Sequence, residues 1–433
     1  MSYRKLTLAA VSVIASATAF AGSAQAQAFY LQEQSARGAG RAFSGEAADT
    51  GPQSLWWNPA AIADITGAEA AVAISAILPT SDVVDTGTLI IRPGQAPAPV
   101  GGNGTAHNPI NNGFLPSGSF AMPLGHRIAF GLAISSPYSF TTDYDADSWT
   151  RYSALHTKLL TVDVQPSLAI APTDWLRIGA GPNIEYTDAS LSNALPNLSA
   201  ALPDGVQQLK GNGWNVGWTA GVQMHNSFIT VGIAYKSEIK HKLKGDLSVS
   251  GLLGPLAGSN MELSGVEARF STPAQIIVGA RLRVTPQLTF NAQATRFTWA
   301  VFDAIRLGEP VNAVLPENYR NSLSLAGGVD YDLSDRFTLR AGVQHAETPT
   351  QDSQRDARVP DSDRWNFGVG GTYNLSKRFA IDAGANYIDF KDAPIDRITA
   401  AYVGTAAQTP VLTDGELQDA HAVVLSLGGR FRF

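Results

Sequence analysis

The side chains that could act as nucleophile, acid, base or metal ligand are few and scattered. The chain has seven histidines and no cysteine. It therefore has no disulfide framework, thiolate nucleophile or thiolate metal site. His107, His126, His156, His225 and His241 read as loop or turn residues, and His345 and His421 fall near strand ends. No two have the spacing that presents paired imidazoles to one ion. A serine hydrolase needs a nucleophile with a histidine partner, and no G-x-S-x-G elbow is present. Asp361 and Asp363 beside Arg364 read as a charged loop end. These residues predict no catalytic site, no metal and no cofactor, and hence no enzyme. The chemistry left open is the binding of apolar molecules.

Two leucine-rich stretches carry that expectation. Leu191, Leu195, Leu198 and Leu202 recur at helical spacing, and Pro196 and Pro203 would break them into short helices. Leu252 and Leu253 lie in a second apolar segment. Exposed apolar loops mark contact sites for apolar partners. Phe29-Tyr30-Leu31, at the start of the mature chain, is a further apolar element.

What positions these residues is legible from composition and periodicity. Residues 1–26 read as a signal peptide: Arg4 and Lys5, an apolar stretch from Leu6 to Ala21, then Ala24-Gln25-Ala26 for cleavage. Charged residues make up 16%, against about 25% in a typical soluble domain. No later run approaches a transmembrane helix, so apolar residues must be spread along strands. The formal charge of −6 argues against a nucleic-acid partner.

Alternation is strict over long segments. Leu160, Val162, Val164, Pro166, Leu168 and Ile170 share one face, and Thr161, Asp163, Gln165 and Ser167 share the other. The pattern returns to the end of the chain, where Phe433 closes an alternating strand and resembles the signal read by the barrel assembly machinery. Short turns are expected at 123–127, 172–175, 225–227, 285–287, 334–336 and 376–378. Long connections are expected at about 80–112, 139–156, 190–212, 242–268, 305–320, 348–362 and 391–419. Six turns alternating with seven long connections require fourteen strands. The fold expected is all-β: a 14-stranded antiparallel barrel in the Gram-negative outer membrane, residues 68–433. The segment 27–67 is rich in Gly, Ala and Ser, is broken by proline, and reads as a small helical hatch inside the barrel.

These residues resemble the FadL-type outer-membrane channels for long-chain fatty acids and other hydrophobic compounds. The resemblance rests on Gly38 to Ala47, Asn58-Pro59-Ala60, Gly211-Asn212-Gly213-Trp214, Tyr235-Lys236-Ser237-Glu238 and Val359-Pro360-Asp361-Ser362-Asp363-Arg364. It implies a plugged barrel that acts as a monomer and passes a fatty acid or hydrocarbon to the membrane lipid. Capture would occur in the two apolar loops, with Arg320 near the ligand carboxylate. Near Asn183 a second basic position of the family is matched by Glu185 and Asp188 instead, as a neutral monoaromatic hydrocarbon would allow. A barrel or adhesin with only a structural role would leave plug and apolar loops unexplained. The resemblance also implies a wall gap at a kink in the third strand, with Asn58-Pro59-Ala60 of the hatch packed there. Ser136-Pro137-Tyr138 and, opposite, Gly113 and Pro116 would frame it, since proline cannot donate to a ladder.

Overall fold

The computed structural model describes residues 28–433; the signal-peptide assignment lies outside them. Among the described residues, fourteen antiparallel strands close on themselves. They are β1 (Glu69–Asp85), β2 (Gly113–Pro123), β3 (Ile128–Ser135 and Ser139–Asp143), β4 (His156–Thr173), β5 (Leu176–Leu195), β6 (Gly205–His225), β7 (Ile229–Lys236 and Ile239–Ser250) and β8 (Met261–Thr272 and Gln275–Arg283). They continue as β9 (Leu288–Phe297), β10 (Ser322–Ser334), β11 (Phe337–Ala346), β12 (Arg364–Asn374), β13 (Phe379–Phe390, prolonged by Ala393–Ala401) and β14 (Thr409–Arg432). Closure is the β1–β14 pairing, from Glu69↔Arg432 to Asp85↔Gly415. A closed barrel leaves no backbone edge in lipid.

The burial pattern is that of a membrane barrel, a soluble protein's pattern turned inside out. On β4, Leu168 is 56% exposed while Gln165 is fully buried. The apolar face meets lipid and the polar face meets the filled lumen. The six expected turns all occur between paired strands.

Five of the seven long connections are shorter than the sequence implied, because the strands continue past the membrane; those before β10 (298–321) and β12 (347–363) are longer. β6 has 21 residues, and roughly 10 suffice to cross a tilted bilayer. Leu191 and Leu195 therefore lie on β5, not on a helix. A separation of four residues falls on one face in a strand as well as in a helix, so the spacing did not discriminate. Likewise only 251–260 of the expected 242–268 loop is non-strand, and Ala393–Ala401 pairs with β14 above the barrel. His241, expected in a loop, is buried on β7.

The segment before β1 fills the lumen. Ser35 caps helix α1 (Ala36–Ala39), accepting from Gly38 N at 3.1 Å. Asn58 caps a 3-10 turn, Pro59–Ile62, accepting from Ala60 N at 3.0 Å, with proline at its first position. Inward-facing glycines let this backbone approach the wall. A Cβ on Gly342 would lie 2.2 Å from Arg41 O, and one on Gly179 would lie 2.5 Å from Pro59 C.

Arg41 anchors the hatch electrostatically. It is fully buried and reaches Glu46 at 2.5 Å, Asp49 at 2.6 Å and Asp330 of β10 at 3.1 Å. Arg281 of β8 contacts Asp49 at 3.1 Å and Asp330 at 2.9 Å. Burial alone would raise the Asp49 carboxyl. Arg281, Arg37 and Arg41 overcome it and hold Asp49 well below the usual range.

Candidate functional site: an apolar groove, a plugged pocket and a broken wall

Above the membrane, register aligns a rung of leucines across four strands. Leu191 of β5 opposes Leu209 of β6, which opposes Leu247 of β7, which opposes Leu263 of β8. With Leu195, Val249 and Leu252 these side chains line an open groove of about 1030 Å³. Of the other leucines expected to bind ligand, Leu198 is half-buried against the cluster of Leu195, Val249, Leu252 and Leu256. Leu202 and Leu253 are exposed and line no part of the groove.

The groove runs into a pocket and shares Leu191, Ile305, Glu317, Gln354, Asp356 and Arg358 with it. Leu159, Phe270, Phe302, Tyr319 and Val359 add apolar surface. About 70 Å³ is unfilled. The Phe29 ring occupies the floor, packed against Trp299 (4.9 Å between centroids), Phe302 (5.4 Å), Phe140 (5.8 Å) and Tyr138 (5.9 Å). Ala28 N donates to Asp361 at 2.7 Å, tethering the start of the described segment.

Arg320 does not reach the pocket. It is exposed, donating to Thr348 O, and lines neither cavity. The adjacent Tyr319 is buried and lines the pocket, while Arg320 points outward. The basic groups in the pocket are Arg358 and Lys158. Arg358 donates to Asn193 Oδ1 at 3.1 Å and to Thr157 Oγ1 and Ser192 O at 3.4 Å. It forms no ion pair among the described residues. Lys158 of β4 pairs with Asp188 at 2.9 Å. Beside Asn183 the cation is Lys236 of β7, which donates to Gln165 Oε1 at 3.2 Å, the oxygen to which Asn183 also donates at 3.2 Å. Arg358 directly precedes the Val359–Arg364 motif, which was the available signal for it.

The wall is interrupted on β3. Ser135 pairs with Asp163 and Ser139 with Leu160, so Ser136-Pro137-Tyr138 oppose only Val162 and Thr161. That extra residue is a bulge. On the other edge the β2–β3 ladder ends at Gly118↔Ile134. Gly113 and Pro116, on the part of β2 beyond it, pair with β1 alone. Between hatch and wall lies a void of about 30 Å³, lined by Ser117, Gly118, Ile134, Ser135, Gln34 and Trp56 among others.

The hatch side of this break is not Asn58-Pro59-Ala60. Asn58 donates to Ala47 O at 2.7 Å and to Val222 O of β6 at 3.2 Å, and Pro59 packs on Gly179 of β5. The Asn side chain does satisfy backbone carbonyls, but those of the hatch and β6. The kink is held by Gln34, donating to Ser136 O at 3.0 Å, and by a short ladder with residues 29–31. In it Leu31 N donates to Pro137 O at 2.7 Å and Ser139 N to Phe29 O at 3.1 Å. The same segment therefore blocks the pocket and completes the broken strand.

A lipid-facing barrel, an inner plug and an apolar groove opening on a pocket are the parts of an outer-membrane channel for hydrophobic molecules. The chain belongs to the outer membrane protein transport protein family (OMPP1/FadL/TodX), whose profile matches residues 17–433. It is similar to the 47 kDa outer membrane protein of Pasteurella multocida, at 28% identity over 88% of this chain and 91% of the relative. It is also similar to the long-chain fatty acid transport protein of Escherichia coli K12, at 26% identity over 90% and 94%. The fold matches the crystal structure of a Pseudomonas aeruginosa FadL homologue with a TM-score of 0.82, at 25% identity over 94% of this chain and all of that one. The Ralstonia pickettii toluene transporter TbuX matches with a TM-score of 0.66, at 19% identity over 93% and 99%. The protein is an outer-membrane transporter of hydrophobic compounds, not an enzyme.

Proposed function

We propose that the substrate is a long-chain fatty acid, taken up passively. The observation that carries this reading is Arg358: a largely buried guanidinium, free of any ion pair among the described residues, at the edge of an apolar pocket. A fatty acid needs both parts, a charged end for its carboxylate and an apolar surface for its chain. A neutral hydrocarbon would gain nothing from a buried cation. The names borne by the Escherichia coli relatives agree with this substrate class.

Transport then follows the geometry. The leucine rung captures the acyl chain. The ligand displaces Phe29 from the pocket, and residues 29–31 leave the β3 kink with it. The ligand exits sideways through the β2–β3 break into lipid, so its apolar surface never crosses water. The hatch behind α1 stays fixed by Arg41. The test is uptake of labelled oleate and labelled toluene by cells with and without the protein. Loss of oleate uptake on deletion supports the reading; loss of toluene uptake alone overturns it in favour of a hydrocarbon channel.

A further inference from the structure

The charged groups around the pocket mouth balance in number, three cations against three carboxylates. Lys158 pairs with Asp188 at 2.9 Å. Arg397, on the extension of β13, pairs with Asp356 at 2.8 Å and donates to Pro316 O. Its distance to Glu317 is 3.9 Å. Arg397 thus bridges Asp356 and Glu317, and Arg358, which forms no ion pair among the described residues, lines pocket and groove together with Glu317. The groups facing Glu317 are therefore Arg397 from β13, Asp356 and Arg358 from the connection before β12, and Tyr319 from its own segment. With every group ionised these six charges sum to zero. An entering carboxylate would make a buried site net negative.

We propose that Glu317 takes up a proton from solvent when the channel binds an anionic amphiphile, so that the anion and one proton bind together and leave together. The inference rests on the fatty-acid reading of the pocket. The ligand carboxylate stays ionised on Arg358, and Glu317 becomes a neutral acid that can donate a hydrogen bond. Two further observations fit. Glu317 lies in the connection between β9 and β10, open to the groove and thus to solvent protons. Burial, opposed by Arg397 and Arg358 and aided by Asp356, pushes its carboxyl up to about 7.

The sign follows from linkage. A group that must be protonated in the complex gives full affinity below its pKa and loses it as pH rises through that value. Affinity should fall roughly tenfold between about pH 6 and about pH 8. Fatty acids titrate themselves, so the probe is a fluorescent long-chain alkyl sulfonate, ionised throughout. The matched alcohol serves as neutral control, and both are titrated onto the purified full chain in detergent. The expected result is a falling sulfonate profile and a flat alcohol profile. Glu317→Gln, permanently neutral, should hold the low-pH sulfonate affinity at all pH. A flat wild-type sulfonate profile overturns the proposal without any mutant, and so does a Glu317→Gln profile that still falls. If only the alcohol binds, at every pH, the fatty-acid reading itself fails and takes this inference with it.

Discussion

Replacing Arg358 with methionine should weaken fatty-acid binding while sparing a neutral ligand of the same length. Methionine keeps an apolar stem at the pocket rim and removes only the charged head. In the free protein that head is held by three neutral acceptors, none closer than 3.1 Å. A ligand carboxylate would replace these with charge-assisted bonds worth about 1.5–3 kcal/mol. At about 1.4 kcal/mol per decade, the loss is roughly 10- to 150-fold in affinity. The assay is displacement of a fluorescent fatty acid by oleate and by oleyl alcohol, in detergent, for wild type and variant. Oleate should lose that factor and oleyl alcohol should stay within about twofold. Equal losses for both ligands would mean that Arg358 merely braces the rim through Asn193, Thr157 and Ser192. No loss for oleate would mean that the carboxylate binds elsewhere.

Three further perturbations separate the parts of the mechanism. Arg41→Leu leaves Glu46 a buried carboxylate without its cation, and leaves Asp49 and Asp330 to Arg281, a cost of about 3–5 kcal/mol. Hydrogen exchange of 36–54 should accelerate while the barrel strands stay protected, and unchanged protection would remove the anchor. Because Asp49 is depressed, its contribution is present above the ordinary carboxylate pKa and is lost only as pH falls well below it, so wild-type hatch protection should persist at about pH 5. Phe29→Ala removes a ring whose burial is worth about 1.5–3 kcal/mol, which the ligand must otherwise displace. Ligand affinity should rise about tenfold or more, and a fall would make Phe29 part of the binding wall instead. Ser117→Trp fills the void at the β2–β3 break and should abolish oleate uptake with binding intact; normal uptake in a folded variant would exclude lateral exit there.

The barrel was readable because its signal is local. Alternation on β4 is set by neighbours two residues apart, and the turns by the residues where alternation stops. The groove was not readable in the same way. Leu191 and Leu195 lie on one face under either periodicity, and only the register with Leu209, Leu247 and Leu263 says that a strand is being built. Arg320 shows a different limit. An arginine near the right motif is no guide to which way it points: residues 317–321 form no strand and Asn318 has a positive φ of 51°, so no period-2 count fixes its direction.

The kink carries this furthest. Asn58-Pro59-Ala60 stood out because Asn can satisfy stranded backbone groups, and it does so, but on β6. Gln34, which holds Ser136, has no motif around it. The contacts that join pocket to wall run between distant positions: Ala28 to Asp361, Gln34 to Ser136, Arg397 to Glu317 and Asp356. None is a property of a sequence window. Such contacts must break and reform if residues 29–31 are to leave. A hatch with few strong bonds at its leading end and a buried ion cluster behind α1 meets both demands. The leading end holds by ring contacts and ladder bonds, while the rear holds by buried ion pairs.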